Sequence, residues 1–234
     1  MITMEVLNRT FFIKIEQYGT GTVVDYQDRQ YLVTARHLMG NLQDVKIIKI
    51  FFAGNWYKME VETVGVARGE ADLVVFAAKN LQLCNPELTF TLGTNGIAIG
   101  QDIFIAGYPY LMHTNAGAGF NGRPCPFVKK GILSSAFDDG TGTSKLYLDI
   151  LNNEGFSGGP VVFRNMNTNR MQLAGIVSKI KVERESVVCE RGEDTEWTVA
   201  YNTGIAIAYP IEEAIRLIEA NPIGLSLGKS VSAK

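Results

Sequence analysis

Cysteine, histidine and tryptophan are scarce in this 234-residue chain, at three, two and two residues. Cys84, Cys125 and Cys189 are odd in number, far apart and form no CxxC pair, so neither a disulfide framework nor a thiolate zinc site is expected. With no clustered histidines either, no metal or cofactor is implied. Basic surplus is missing as well: 22 Lys and Arg face 24 Asp and Glu, a net charge of -2. A chain without spare cations is poorly equipped to neutralise phosphates, so no nucleic-acid partner is expected. No run of 18 apolar residues occurs, which leaves no membrane-spanning helix. Glu5, Asn8 and Arg9 precede the first apolar run, and that run alternates with Lys14 and Glu16. A secretory leader would be continuous and preceded by positive charge. With free thiols, this places the expected location in the cytoplasm.

What remains is 46% hydrophobic and 20% charged, a composition for a folded core rather than disorder. The dominant period is two. Segments 11–17, 20–26, 31–35, 46–52, 57–66 and 72–76 are rich in Val, Ile, Thr, Phe and Tyr and are separated by Gly, Asn and Asp, which predicts strands. Residues 79–100, with Pro86 and several Asn and Gly, read as a linker. A second set follows at 102–106, 127–135, 145–150, 161–164, 171–178 and 198–208. Six strands, a crossover and six more predict an all-β chain of two six-stranded antiparallel barrels, with residues 1–85 in one and 86–234 in the other. The one helix expected lies near the end. Ile211, Ala214, Ile215 and Ile218 form an apolar stripe, with Pro210 before it and Asn221-Pro222 after it. The tail from Gly224 onward reads as frayed.

Three segments carry chemistry: Thr34-Ala35-Arg36-His37 ending a strand, Ala71-Asp72-Leu73 beginning one, and the glycine-rich turn Gly155-Phe156-Ser157-Gly158-Gly159-Pro160. Acyl transfer needs a hydroxyl nucleophile, a base that titrates near neutrality, and a carboxylate that fixes the base's tautomer. Ser157, His37 and Asp72 supply these types, with His37 and Asp72 in one expected barrel and Ser157 in the other. A cleft between two barrels suits such a site. Gly155 lets the chain turn so that its N–H and that of Ser157 converge as an oxyanion hole.

These segments resemble the TAAHC, DIAL and GDSGGP motifs of chymotrypsin- and trypsin-like serine proteases. More of the chain resembles the protease domain of the bacterial Deg/HtrA group: Gly19 to Asp25, Leu92 to Gly107 with Tyr108-Pro109, Gly131 to Ser134, and Gly204 to Ala208. The resemblance runs over residues 19–218 and implies a bacterial serine endopeptidase, a stand-alone domain with no PDZ segment, acting on proteins or peptides. It also implies roles for three further residues. Ser178 would hydrogen-bond the catalytic aspartate and line the substrate strand. Leu151 would form the base of the primary specificity pocket and Gly204 a wall. An apolar base implies small or medium apolar side chains at P1, with Lys and Arg disfavoured. Phe156 departs from the family, since trypsin and its relatives carry there an aspartate that pairs with a newly cut N-terminus. Together with the short stretch before His37, this argues against activation by propeptide removal.

The 110–126 and 180–201 segments exceed what catalysis needs. The second holds Glu183, Glu185, Glu190, Glu193, Asp194 and Glu196, expected as a solvated hairpin and alternatively as a contact for basic substrate residues or a basic regulatory partner. His113 reads as a residue of a mobile surface loop, Trp56 and Trp197 as packing residues. Two readings besides a peptidase stay open: a catalytically silent binding module on the same fold, and an esterase, which would lack the strand-turn-helix elbow of hydrolases.

Overall fold

Residues 1–115, 122–138, 143–189 and 194–227 are described by the structure, a computed structural model. The first half contributes α1 (Met4–Asn8) and strands β1 (Thr10–Lys14), β2 (Tyr18–Tyr26), β3 (Arg29–Ala35), β4 (Ile47–Phe52), β5 (Asn55–Val66) and β6 (Leu73–Ala78). They pair in the order β3-β2-β1-β4-β5-β6, and a β3–β6 pairing closes the ring. After β7 (Thr91–Leu92) come β8 (Asp102–Gly107), the short β9 (Thr114–Asn115) and β10 (Pro124–Cys125), then β11 (Phe127–Asp138), β12 (Ser144–Asp149), β13 (Pro160–Asn165), β14 (Arg170–Val188) and β15 (Asp194–Pro210). The second ring runs β13-β8-β11-β12-β15-β14 and closes through β13–β14. The fold is therefore the expected pair of six-stranded antiparallel barrels, followed by helix α2 (Ile211–Ala220) and a short strand β16 (Leu225–Ser226).

Alternation along the strands decides what faces where. Val23, Leu32, Val74 and Phe76 point into the first barrel, and Val161, Phe163, Ala174 and Val177 into the second. Their neighbours Val24, Tyr31, Val33, Leu73, Val75, Val162, Leu173 and Ile176 point the other way and join Ile211, Ala214 and Ile218 of α2 in a third cluster. Strands at this seam are thus buried on both faces, which is why Leu73–Ala78 is apolar without interruption.

Four expectations are corrected. The N-terminal segment holds a short helix, α1, whose Val6 is buried and whose Val6 carbonyl accepts from Thr10 Oγ1 at 2.8 Å. Residues 79–100 are not a loose linker: Cys84 and Phe90 are buried, and the Gln30 side chain accepts from the amides of Leu83 (2.6 Å) and Cys84 (3.0 Å). The tail does not fray at Gly224, because Leu225 and Ser226 pair with Gln30 and Arg29 of β3; its last residues, 228–234, lie outside the described ones. Trp197 packs against little, being 75% exposed.

Arg9 is the largest fully buried side chain. Its guanidinium donates to Asp25 Oδ2 at 2.5 Å, to Leu88 O at 2.5 Å and to Asn85 O at 3.2 Å, tying the 79–100 segment to β2. A buried ion pair adds little net stability, but removing one partner leaves the other desolvated and unpaired. Arg9→Met should therefore lower unfolding free energy by roughly 3 kcal/mol, read as a reduced urea midpoint, whereas a loss below about 0.5 kcal/mol would show that Asp25 finds water instead.

Candidate active site

Antiparallel register brings the first two site residues together. Ala35 at the end of β3 pairs with Leu73 at the start of β6, so His37, two residues beyond, and Asp72, one residue before, emerge at the same barrel end. A 3-10 turn over Arg36–Met39 aims the imidazole back. Arg36 fixes the same corner, its amide donating to Asp72 O at 3.2 Å and its guanidinium to Ala67 O at 2.8 Å.

Asp72 is buried. One carboxylate oxygen accepts from the His37 amide at 2.9 Å; the other lies 2.6 Å from His37 Nδ1 and accepts from Ser178 Oγ at 2.6 Å. Desolvation pushes its pKa up, but the hydrogen bonds from His37, that histidine's charge and the bond from Ser178 outweigh it, and the carboxyl is held below its ordinary value. An ionised carboxylate can only accept, so Nδ1 carries a hydrogen and Nε2 is the ring nitrogen left free of Asp72.

Ser157 arrives from the second barrel on the turn between β12 and β13. Its hydroxyl donates to Ser178 O at 2.8 Å. No hydrogen bond joins it to His37 among the described residues, although the two side chains line one cleft of about 670 Å³ with Glu16, Tyr18, Tyr110, Leu111, Glu154 and Gly155. Hydrogen bonds between nucleophile and base commonly tighten only when substrate is bound.

The turn itself is built on glycine. Gly155 has φ 99° and Gly158 φ 85°. A Cβ at Gly155 would stand 2.1 Å from Tyr108 O, and one at Gly158 would stand 1.9 Å from Thr20 O, so neither position admits another residue without moving the turn. The amides of Gly155 and Ser157 donate to no acceptor among the described residues, leaving a pair of N–H groups beside the serine hydroxyl.

Three threonines that sequence reasoning passed over brace this turn from the first barrel. Thr20 Oγ1 donates to Gly155 O at 2.7 Å, Thr22 Oγ1 to Gly158 O at 2.9 Å, and Thr34 Oγ1 to Thr20 O at 2.6 Å. Their signal was present in Thr20-Gly21-Thr22, where hydroxyls alternate with a glycine too small to hold strands apart. Lys129 and Asn153, which clasp the other side of the turn, were also overlooked.

The specificity residues fare unevenly. Ser178 is fully buried against Asp72. Leu151 does not close a pocket floor: its side chain is 56% exposed and its carbonyl accepts from Lys129 Nζ. At Gly204, φ is 80° and a Cβ would meet open space. Neither Leu151 nor Gly204 lines the 670 Å³ cleft, which lies on the Glu16–Tyr18 side of Ser157. His113 is exposed, yet its ring stands 4.7 Å from that of Phe51; Gly117 and Gly119 beside it lie outside the described residues. The 180–201 segment is the outer half of a hairpin in which β14 and β15 pair as far as Val188 and Asp194. Glu183, Glu185 and Glu196 lie on it, while Glu190 and Glu193 are outside the described residues.

A second cavity, of about 660 Å³, opens on the first barrel among Phe11, Ile50, Tyr57, Leu88 and Arg123. The one thiol it touches, Cys84, is pushed up to about 11 by burial, which leaves it a poor nucleophile. Chemistry of the kind the motifs imply is concentrated at the barrel seam.

Two barrels with a histidine–aspartate pair on one and a serine turn on the other define a chymotrypsin-like protein. A family model, the trypsin-like peptidase domain, matches residues 19–170, and the chain belongs to that family. Among solved structures it is similar to the HtrA-type protease AlgW bound to a tripeptide, at 20% identity and TM-score 0.58 over 92% of this chain and 60% of that one. A serine endoprotease from Yersinia pestis (21% identity, TM-score 0.54, 94% and 67% covered) and the inactive form of the Rv3671c protease (15%, 0.55, 92% and 90%) share the fold. This chain thus spans about 60% of the AlgW chain it matches. No curated protein matches it.

Because Asp72 is depressed in the folded chain, its ionised form contributes stability that is present above its ordinary value of 3.8 and is lost as pH falls through its folded value. Asp72→Asn should be less stable than the parent at pH 7, and the gap should shrink toward pH 3. Urea midpoints measured across that range would refute the assignment if the gap stayed constant.

Proposed function

We propose that the chain is a serine endopeptidase, with Ser157 as nucleophile, His37 as general base and then acid, and Asp72 as the group that orients His37. The observation that carries this reading is the linked set His37 Nδ1–Asp72–Ser178–Ser157, placed beside two N–H groups without acceptors. Rotated toward His37 Nε2, the Ser157 hydroxyl would lose its proton to the imidazole as its oxygen attacks a peptide carbonyl. The carbonyl oxygen, now anionic, would then sit against the amides of Gly155 and Ser157. Protonated His37 next delivers its proton to the leaving amine, and water repeats the sequence on the acyl-enzyme.

The hydroxyl's bond to the Ser178 carbonyl favours one variant of this reading, a conditionally active domain that binds protein before it cuts. In that state the proton on Ser157 is committed away from the base. Substrate or a regulatory partner that occupies the strand edge at Ser178 would compete for that carbonyl and release the hydroxyl.

For specificity, Leu151 supplies exposed apolar surface six residues before Ser157. A Lys or Arg side chain placed against it would shed water and gain no partner, so small or medium apolar residues are the proposed P1 class, each matched methylene contributing about 1 kcal/mol. The proposed location is the cytoplasm of a bacterium, where thiols such as Cys84 and Cys125 stay reduced.

A fluorophosphonate probe should label the wild-type chain and not Ser157→Ala, and turnover of a casein-type substrate should fall roughly 10⁴-fold in that variant; retained hydrolysis would move the nucleophile elsewhere. A peptide-library cleavage profile should be dominated by Val, Ala or Leu at P1. A profile led by Arg or Lys would instead place an acid of the 180–201 hairpin at the pocket.

A further inference from the structure

Phe156 cannot form an ion pair, so the oxyanion turn must be held by other means. Phe156 is fully buried, and its ring lies among Ile105, Val161 and Phe163 in the second barrel's core. Lys129 reaches over it from β11. Its ammonium stands 5.2 Å from the ring centroid and donates both to Leu151 O and to Asn153 Oδ1. Asn153 passes the constraint on in two directions. Its amide group donates to Tyr110 Oη at 2.9 Å, and its backbone carbonyl accepts from the Phe156 amide at 3.3 Å, closing the tight turn that carries Gly155.

We infer that Lys129 is a positioning residue that holds the oxyanion turn in the arrangement seen here, gripping it from β11. This rests on the serine peptidase reading for its consequence in catalysis, but the mechanical claim concerns the turn alone. An ammonium suits the task because it offers three donors: two grip the chain on either side of Asn152, and the positive charge also favours the face of the Phe156 ring. A neutral side chain of equal length would fill the same space and release both acceptors.

Lys129 has no carboxylate partner among the described residues; the nearest ion pair on its strand belongs to Lys130, which bonds Asp102 on the outer surface. The groups that face it are the Leu151 carbonyl, the Asn153 amide and the Phe156 ring, with the Tyr110 hydroxyl one bond further on. Burial alone lowers its pKa from the ordinary 10.5. Its charge, and with it the grip on the turn, is present below that lowered value and is lost above it.

The test is hydrogen exchange joined to kinetics on Lys129→Met, Lys129→Arg and the control Lys130→Met. In Lys129→Met the amides of Phe156, Gly158 and Gly159 should exchange at least 10-fold faster, with other barrel amides unchanged. Lys129→Arg should restore most of the protection. In turnover, Lys129→Met should lower kcat by 10- to 100-fold with KM within 2-fold. The parent should lose activity in an alkaline limb that Lys129→Arg moves upward, and Lys130→Met should match the parent throughout. Unchanged exchange at the three turn amides in Lys129→Met overturns the inference whether or not the chain cleaves peptides. A parent that never reacts with the fluorophosphonate would overturn the peptidase reading instead, and the exchange result would still decide the role of Lys129.

Discussion

One backbone hydrogen bond, from the Thr20 amide of the first barrel to the Ser157 carbonyl of the second at 2.9 Å, sets the distance on which the rest of the site depends. Histidine and aspartate are anchored to one barrel and serine to the other, so any relative slip of the barrels would separate them. Threonine hydroxyls reinforce that contact, from Thr20 to Gly155 O and from Thr22 to Gly158 O, and glycines line it. A Cβ on Gly19 would stand 3.0 Å from Ser157 O, and one on Gly158 would stand 1.9 Å from Thr20 O. Small residues at the seam and hydroxyls between them let two backbones approach to bonding distance. The apolar cluster shared by both barrels and α2 supplies the driving force behind the contact.

Burying a carboxylate at this seam is costly on its own, since desolvation raises Asp72 toward neutrality. The structure offsets that cost with donors from three places: the His37 backbone, the His37 ring and the Ser178 hydroxyl. Two of these donors belong to the 3-10 turn and the third to β14, so the ionised state of Asp72 reports whether both elements are in place. The pair is therefore more than a catalytic convenience; it is a register lock between strands distant in sequence.

Much of this was legible in the sequence because it is periodic or tied to a short motif. Alternating β-branched residues marked the strands, and the apolar stripe marked α2. His37, Asp72, Ser157 and the glycines around it follow from residue type and order. What escaped has a common physical character. The clasp of Lys129 on Asn153, the brace of Thr34 on Thr20 and the bond from Ser157 to Ser178 join residues whose partners are fixed only by register between strands, and register leaves no local trace. The exposure of Leu151 is of the same kind: counting six residues back from Ser157 gives a position along the chain, not the direction in which the side chain points. The five-residue α1 escaped because it is too short to show a helical period, with Val6 its single buried residue.

Phe156 shows how a family can exchange one kind of constraint for another. An aspartate at that place must be neutralised by an amine, so order in the turn waits on the arrival of the amine. A phenylalanine needs only a dry cavity, and burying it contributes about 2 kcal/mol as soon as the barrel closes. The cavity is supplied by Gly107, where a Cβ would stand 2.8 Å from the Phe156 ring, and by the core residues Ile105 and Val161. Order in the turn is thereby coupled to folding of the second barrel rather than to a cleavage event. The serine hydroxyl carried by that ordered turn rests on the Ser178 carbonyl of β14.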